Sequence, residues 1–151
     1  MKIEVIVDKD VAKLFGIKLD DKNRPKRTNT PCGQIELKRP KGVPEHIQKK
    51  FVRLLDVIEC EGIIRPTELK KNGFDVGRLE PSPYVKWAVE IAQNLIFRFE
   101  GLKVSAKDVR LLKVKLSRDY RVTLGLVYRG GETAIIFVLV VDGGKREDYY
   151  Q

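Results

Sequence analysis

The side chains of this sequence best suited to chemistry are cations gathered on a stretch with little apolar around it. Lys22, Arg24, Lys26 and Arg27 fall within residues 20–33, which contain two prolines and no large aliphatic residue. Lys38, Arg39 and Lys41 follow closely. From Lys18 to Lys41, eight basic and three acidic side chains leave +5 of the chain's formal +9. Ammonium and guanidinium groups at that density neutralise phosphates and release their counterions, which needs charge more than any particular angle. A second group lies on a helical pattern a few residues on, where Lys49, Lys50 and Arg53 share one flank with His46, the single histidine.

Carboxylates offer a different chemistry. Strand alternation places Glu36 and Lys38 on one face, with Asp20 or Asp21 upstream. This Asp…Glu-x-Lys order resembles the arrangement of restriction-type nucleases, in which carboxylates hold a divalent metal and the lysine assists the attacking water. The letters Glu-Leu-Lys recur at Glu68 to Lys70. Cys32, Cys60 and His46 are too few for a structural zinc site, a Cys/His nucleophile pair or a serine triad, and spacing alone does not decide whether the cysteines pair. Neither Gly130-Gly131 nor Gly143-Gly144 has the spacing of a phosphate-cradling loop. The chain is therefore read as having no catalytic residues, no metal and no cofactor, and a metal-dependent nuclease built on Glu36 and Lys38 is kept as a second alternative.

Aromatic side chains add a third element. Ser82 and Pro83 suit the start of a helix running to Phe99. Its apolar arc holds Tyr84, Val85, Ala88, Val89, Ile91, Ala92, Leu95, Ile96 and Phe99. Trp87 and Phe97 interrupt the polar arc, beside Arg98. Aromatic and basic groups combine in this way where unpaired bases stack on protein. The same aromatics would also serve contact with another protein or a second copy.

Positioning these groups requires the following elements. Met1 to Val7 alternates as a half-buried strand with Ile3, Val5 and Val7 on one side. Asp10 caps a short helix, Val11 to Phe15, that stops at Gly16. Ile17 and Leu19 start another short strand before a solvated, mobile loop at about 20–33. Residues 34–38 resume alternation, with Ile35 and Leu37 inward. Pro44 opens an amphipathic helix to residue 60 with Ile47, Phe51, Leu54, Leu55 and Ile58 at helical spacing. A short helix follows Arg65-Pro66 and closes at Asn72-Gly73, and its "PTELKKNGF" invites comparison with the first half of a helix-turn-helix.

From Lys107 the period becomes two. Leu112, Val114 and Leu116 start an antiparallel meander, with a turn at Ser117 to Asp119 setting Val114 against Val122. A two-residue turn at Gly130-Gly131 would set Leu126 against Ile135 and Leu124 against Phe137. The last strand is apolar on both faces and belongs in the sheet interior.

These elements make one α+β domain spanning 1–151: a C-terminal three-stranded antiparallel meander packed on a long central helix (82–99), an N-terminal strand–helix unit and an amphipathic helix (44–60). The length suits a single core. A pI of about 9.6 favours polyanionic partners, and the 34% of charged residues is a thermophile-like composition that bears on stability. The longest apolar run, Ala134 to Val141, is too short to span a bilayer and no charged leader precedes it, so a cytoplasmic protein without membrane contact is expected. The expected function is non-enzymatic nucleic-acid binding, DNA or RNA, through Lys22, Arg24, Lys26, Arg27, Lys38, Arg39, Lys41, Lys49, Lys50, Arg53, Trp87 and Arg98. The first alternative is a protein-interaction module forming an oligomer or part of a larger assembly.

Overall fold

The computed structural model describes residues 2–29, 32–79, 86–129 and 133–139. A five-stranded sheet in the order β1-β5-β4-β3-β2 organises the chain. Its strands are β1 (Lys2–Val7), β2 (Asp75–Leu79), β3 (Arg110–Lys115), β4 (Arg121–Arg129) and β5 (Thr133–Leu139). β1 joins β5 in parallel, and every other pair is antiparallel. The expected meander is β3-β4-β5, and β5 is interior, as its two apolar faces demand.

Helices cover both faces. On one side lie α1 (Lys9–Phe15), α2 (Glu45–Glu61) and α3 (Pro66–Lys71), whose buried Phe15, Phe51, Leu54, Ile58 and Leu69 pack with Val5, Val76, Val114 and Leu124 of the sheet. Phe15 and Phe51 stack with ring centroids 4.2 Å apart. On the other side α4 (Lys86–Glu100) packs Ala88, Val89, Ala92, Leu95 and Ile96 against Ile6, Leu111 and Val127. Among the described residues, no helix is long and apolar enough to cross a membrane.

Local chemistry explains the boundaries. Pro44 precedes α2, and Gly62 ends it in the left-handed conformation at φ 68°. Gly16 ends α1 at φ 69°, and a Cβ there would run into the Lys38 carbonyl. The cap of α1 is Asp8 and not Asp10: the Asp8 carboxylate accepts from the Asp10 N–H at 2.9 Å. The cap expected at Ser82 and Pro83, the turn at Gly130-Gly131 and the tail tyrosines Tyr149 and Tyr150 lie outside the described residues.

Three further expectations are corrected. The chain after α3 enters strand β2, so no second helix completes a helix-turn-helix. β1 is buried on both faces, through Val5 and Val7 on one and Ile6 on the other. In the β4–β5 pair Leu126 faces Ile136 and Leu124 faces Val138, one residue away from the expected register. A one-residue slip exchanges the two faces of a strand, and β5 is apolar on both, so alternation does not choose between registers. The β3–β4 register, with Val114 opposite Val122, is the expected one.

Residues 17–29 and 32–38 form a small structure of their own against α2. Lys18 N–H donates to the Glu36 carbonyl, Glu36 N–H to that of Lys26 and Lys26 N–H to that of Lys18, closing a ring of three backbone bonds of 2.7 to 3.0 Å. Asn23 is buried and its carbonyl accepts from Val7 N–H at 2.8 Å. Leu37, expected inward, is 42% exposed. Cys32 and Cys60 form a disulfide, with Cα atoms 5.6 Å apart, that fastens this segment to the end of α2. The bond closes a loop of sequence separation 28, for which the chain-entropy relation gives about 3–4 kcal/mol.

Two measurements test this anchorage. Cys32→Ser with Cys60→Ser should lower unfolding stability by about 3–4 kcal/mol in denaturant titration. Amide exchange at Lys26 and Glu36 should be as slow as in α2; free exchange there would restore the mobile loop.

Candidate functional site

The structure distributes the expected cations over several environments. Lys22, Lys26, Lys38, Arg39, Lys41 and Lys49 are exposed, and Lys50 is half-buried. Arg24 pairs with Asp20, Nε to Oδ2 at 3.0 Å. Arg53 donates to the Asn72 carbonyl at 2.7 Å and lies over the Phe74 ring, so it braces the turn between α3 and β2. Arg98 is exposed over Phe99 on α4, on the opposite face of the sheet from α2. Trp87 belongs to α4, but its side chain lies outside what the structure describes. These residues do not converge on one site.

Arg27 departs most from its expected role. Its side chain is only 6% exposed, with the guanidinium turned inward. Nη1 donates to Asp56 Oδ1 and to the Gly33 carbonyl, each at 2.8 Å, and Nε donates to Glu59 Oε1. Asp56 and Glu59 stand three residues apart on α2, so one helical turn presents both carboxylates to one guanidinium. Burial works to lower the Arg27 pKa, but the hydrogen bonds and charges of Asp56 and Glu59 outweigh it and raise the value. Burial pushes the Glu59 carboxyl up, and Arg27, shared with Asp56, pulls it back only in part. Arg27 is thus a structural cation that is not available to a phosphate.

One carboxylate of the nuclease pattern, Asp20, is also engaged. Asp20 accepts from the N–H groups of Lys22 and Arg24 at 2.9 Å as well as from the Arg24 side chain. Among the described residues, no three His, Cys, Asp or Glu side chains come together to hold a metal ion.

A concave site lies elsewhere, at the end of the sheet where β2, the start of β3 and the end of β4 meet the α2–α3 link. The cleft has a volume of about 770 Å³. Its floor is apolar, built from Ile64, Val76, Val109, Leu112 and Leu126, all buried. Among the described residues five cations line it: Arg65 and Lys70 from the α3 side, Arg78 from β2, Arg110 from β3, and Lys107 from the 3-10 turn Ala106–Asp108. All five are exposed, and none forms a salt bridge among the described residues. No acidic residue is among the described lining. Tyr128 stands at this cleft with 47% of its surface exposed.

Strand register explains the convergence. Arg78 is the cross-strand partner of Leu112, and Arg110 that of Leu126, so both arginines share the face of the apolar floor. Tyr128 lies two residues beyond Leu126 and projects on the same side. Beside Lys107, Asp108 is held below the usual carboxylate range by hydrogen bonds from the Ser105 hydroxyl and N–H. None of these cleft residues is among the binding residues expected from the sequence. The five cations are scattered from residue 65 to residue 110 and make no charge run. The one available signal, an uncompensated Arg78 and Arg110 on neighbouring strands, requires β2 to be known.

Comparison with protein-family models, with curated proteins and with solved structures gives no match for this chain.

Two predictions follow the buried arginine. Arg27→Ala should lower stability by about 3 kcal/mol, the lower end of the range for breaking a buried pair because Asp56 is 45% exposed, while Lys26→Ala changes it little. Equal effects in denaturant titration would remove Arg27 from its structural role. Because the folded pKa of Glu59 lies above its ordinary 4.5, the folded state holds that proton more tightly than the unfolded chain. Its contribution to stability falls as pH rises through that window. Glu59→Gln should therefore gain on the wild type as pH rises from acid toward neutral.

Proposed function

We propose that this protein is a non-enzymatic nucleic-acid-binding protein whose principal contact surface is the cleft at the end of the sheet. The observation that carries this reading is five cations around an apolar recess with no acidic residue among the described lining. Like charges held together around a recess repel one another, and a polyanion relieves that repulsion. The exposed Lys22, Lys26, Lys38, Arg39, Lys41 and Lys49 supply the remaining electrostatic attraction. Arg53 reaches the carbonyl of Asn72, just beyond the helix whose Lys70 lines the cleft. The described lining offers cations, apolar groups, Thr67 and Tyr128, which suits holding a ligand better than moving protons.

One observation favours a second reading, a protein-interaction module. Phe97 on α4 is 55% exposed, a large apolar surface on the face of the molecule that carries Arg98. A nucleic-acid ligand makes better use of the net charge of +9.

Salt titration tests the proposal. Log affinity for oligonucleotides should fall linearly with log salt concentration, and Arg78→Ala with Arg110→Ala should reduce the slope by roughly 1.5, the loss of about two phosphate contacts. Lack of binding at low salt would overturn the proposal. An unchanged slope in the double variant would move the contact surface away from the cleft.

A further inference from the structure

We infer that the cleft selects an unpaired strand, with bases seated on its apolar floor and on the Tyr128 ring and phosphates held by the cations at its rim. This rests on the nucleic-acid reading above and names the form of nucleic acid that the site takes. Phosphates alone need only charge. The floor is what a duplex would leave unused, since its bases face each other inside the stack. Duplex readers insert a protruding helix or ribbon into a groove about 12 Å wide, whereas this surface is a recess. A volume of about 770 Å³ is within the range of sites that take small organic ligands.

The placement of Tyr128 gives the recess its reading edge. Leu126 is part of the buried floor, and Tyr128 stands next to it on the same face of β4 with its ring partly in solvent. Arg110 is the cross-strand neighbour of Leu126, so a base stacked on Tyr128 would bring its phosphate toward a guanidinium with no acidic partner among the described residues. Arg65 and Lys70 come from the α3 side, Arg78 from β2 and Arg110 from β3, so several elements bring cations to the same floor. Aromatic stacking inside a cationic groove is how single strands are held without regard to base identity.

Abasic strands separate base contact from phosphate contact, because they keep the charge and lack the bases. Fluorescence anisotropy would be measured with the full chain and labelled oligonucleotides of one length: single-stranded DNA, single-stranded RNA, duplex DNA and single-stranded DNA abasic throughout. At least one single strand should bind about tenfold or more tighter than the duplex and the abasic strand. Tyr128→Ala should weaken that strand by about 5- to 150-fold, the affinity equivalent of one lost stack, and leave the abasic strand unchanged. Tyr128→Phe, which keeps the ring, should retain the preference. Abasic and normal strands binding alike, or the duplex binding tightest, would overturn this inference and leave nucleic-acid binding standing. No binding to any of the four would overturn both.

Discussion

The structure depends on the parallel pairing of β1 with β5, which brings the first described strand against the last, from Lys2 opposite Thr133 to Val7 opposite Val138. Through that pairing β1 contributes to both sides of the sheet. Val5 and Val7 enter the core beneath α1 and α2, and Ile6 enters the core beneath α4. This six-residue strand therefore joins β3 and β4 in contributing side chains to both apolar layers. The loop closed by this contact spans almost the whole chain, but loop-closure entropy grows only logarithmically with length, so extensive burial on two faces can offset it.

Much of this architecture was legible from periodicity. α2 announces itself through Pro44, the spacing of Ile47, Phe51, Leu54 and Ile58, and Gly62. β3 and β4 alternate cleanly enough to fix Val114 opposite Val122. What escaped has physical reasons. β2 is a five-residue edge strand containing Asp75, Gly77 and Arg78, with too little apolar content to announce itself. The register of β5 could not be read from the sequence because Ile135 and Phe137 are as apolar as Ile136 and Val138. The cleft was invisible for a related reason. Its cations come from a helix, two strands and a 3-10 turn, and they meet only when the sheet assembles.

Arginine plays two opposite parts in this molecule, and no local sequence rule tells them apart. Arg27 lies in the most basic stretch of the chain and is a structural residue, because Asp56 and Glu59 meet it from α2. Arg78 and Arg110 lie in unremarkable surroundings and remain exposed without a salt bridge among the described residues. The difference is tertiary: whether a carboxylate lies opposite once the chain has folded. Charge density along a sequence reports the attraction a protein can exert, while pairing across the fold decides which cations can exert it.

The disulfide between Cys32 and Cys60 has a consequence of a topological kind. It closes a covalent ring that contains nearly all of α2 together with the exposed residues Lys38, Arg39, Lys41 and Gly42. A protease that cuts once inside that ring linearises it and does not divide the molecule. Both fragments remain on one covalent body, each still packed on the sheet, and the nick shows as two pieces only after the sulfurs are reduced.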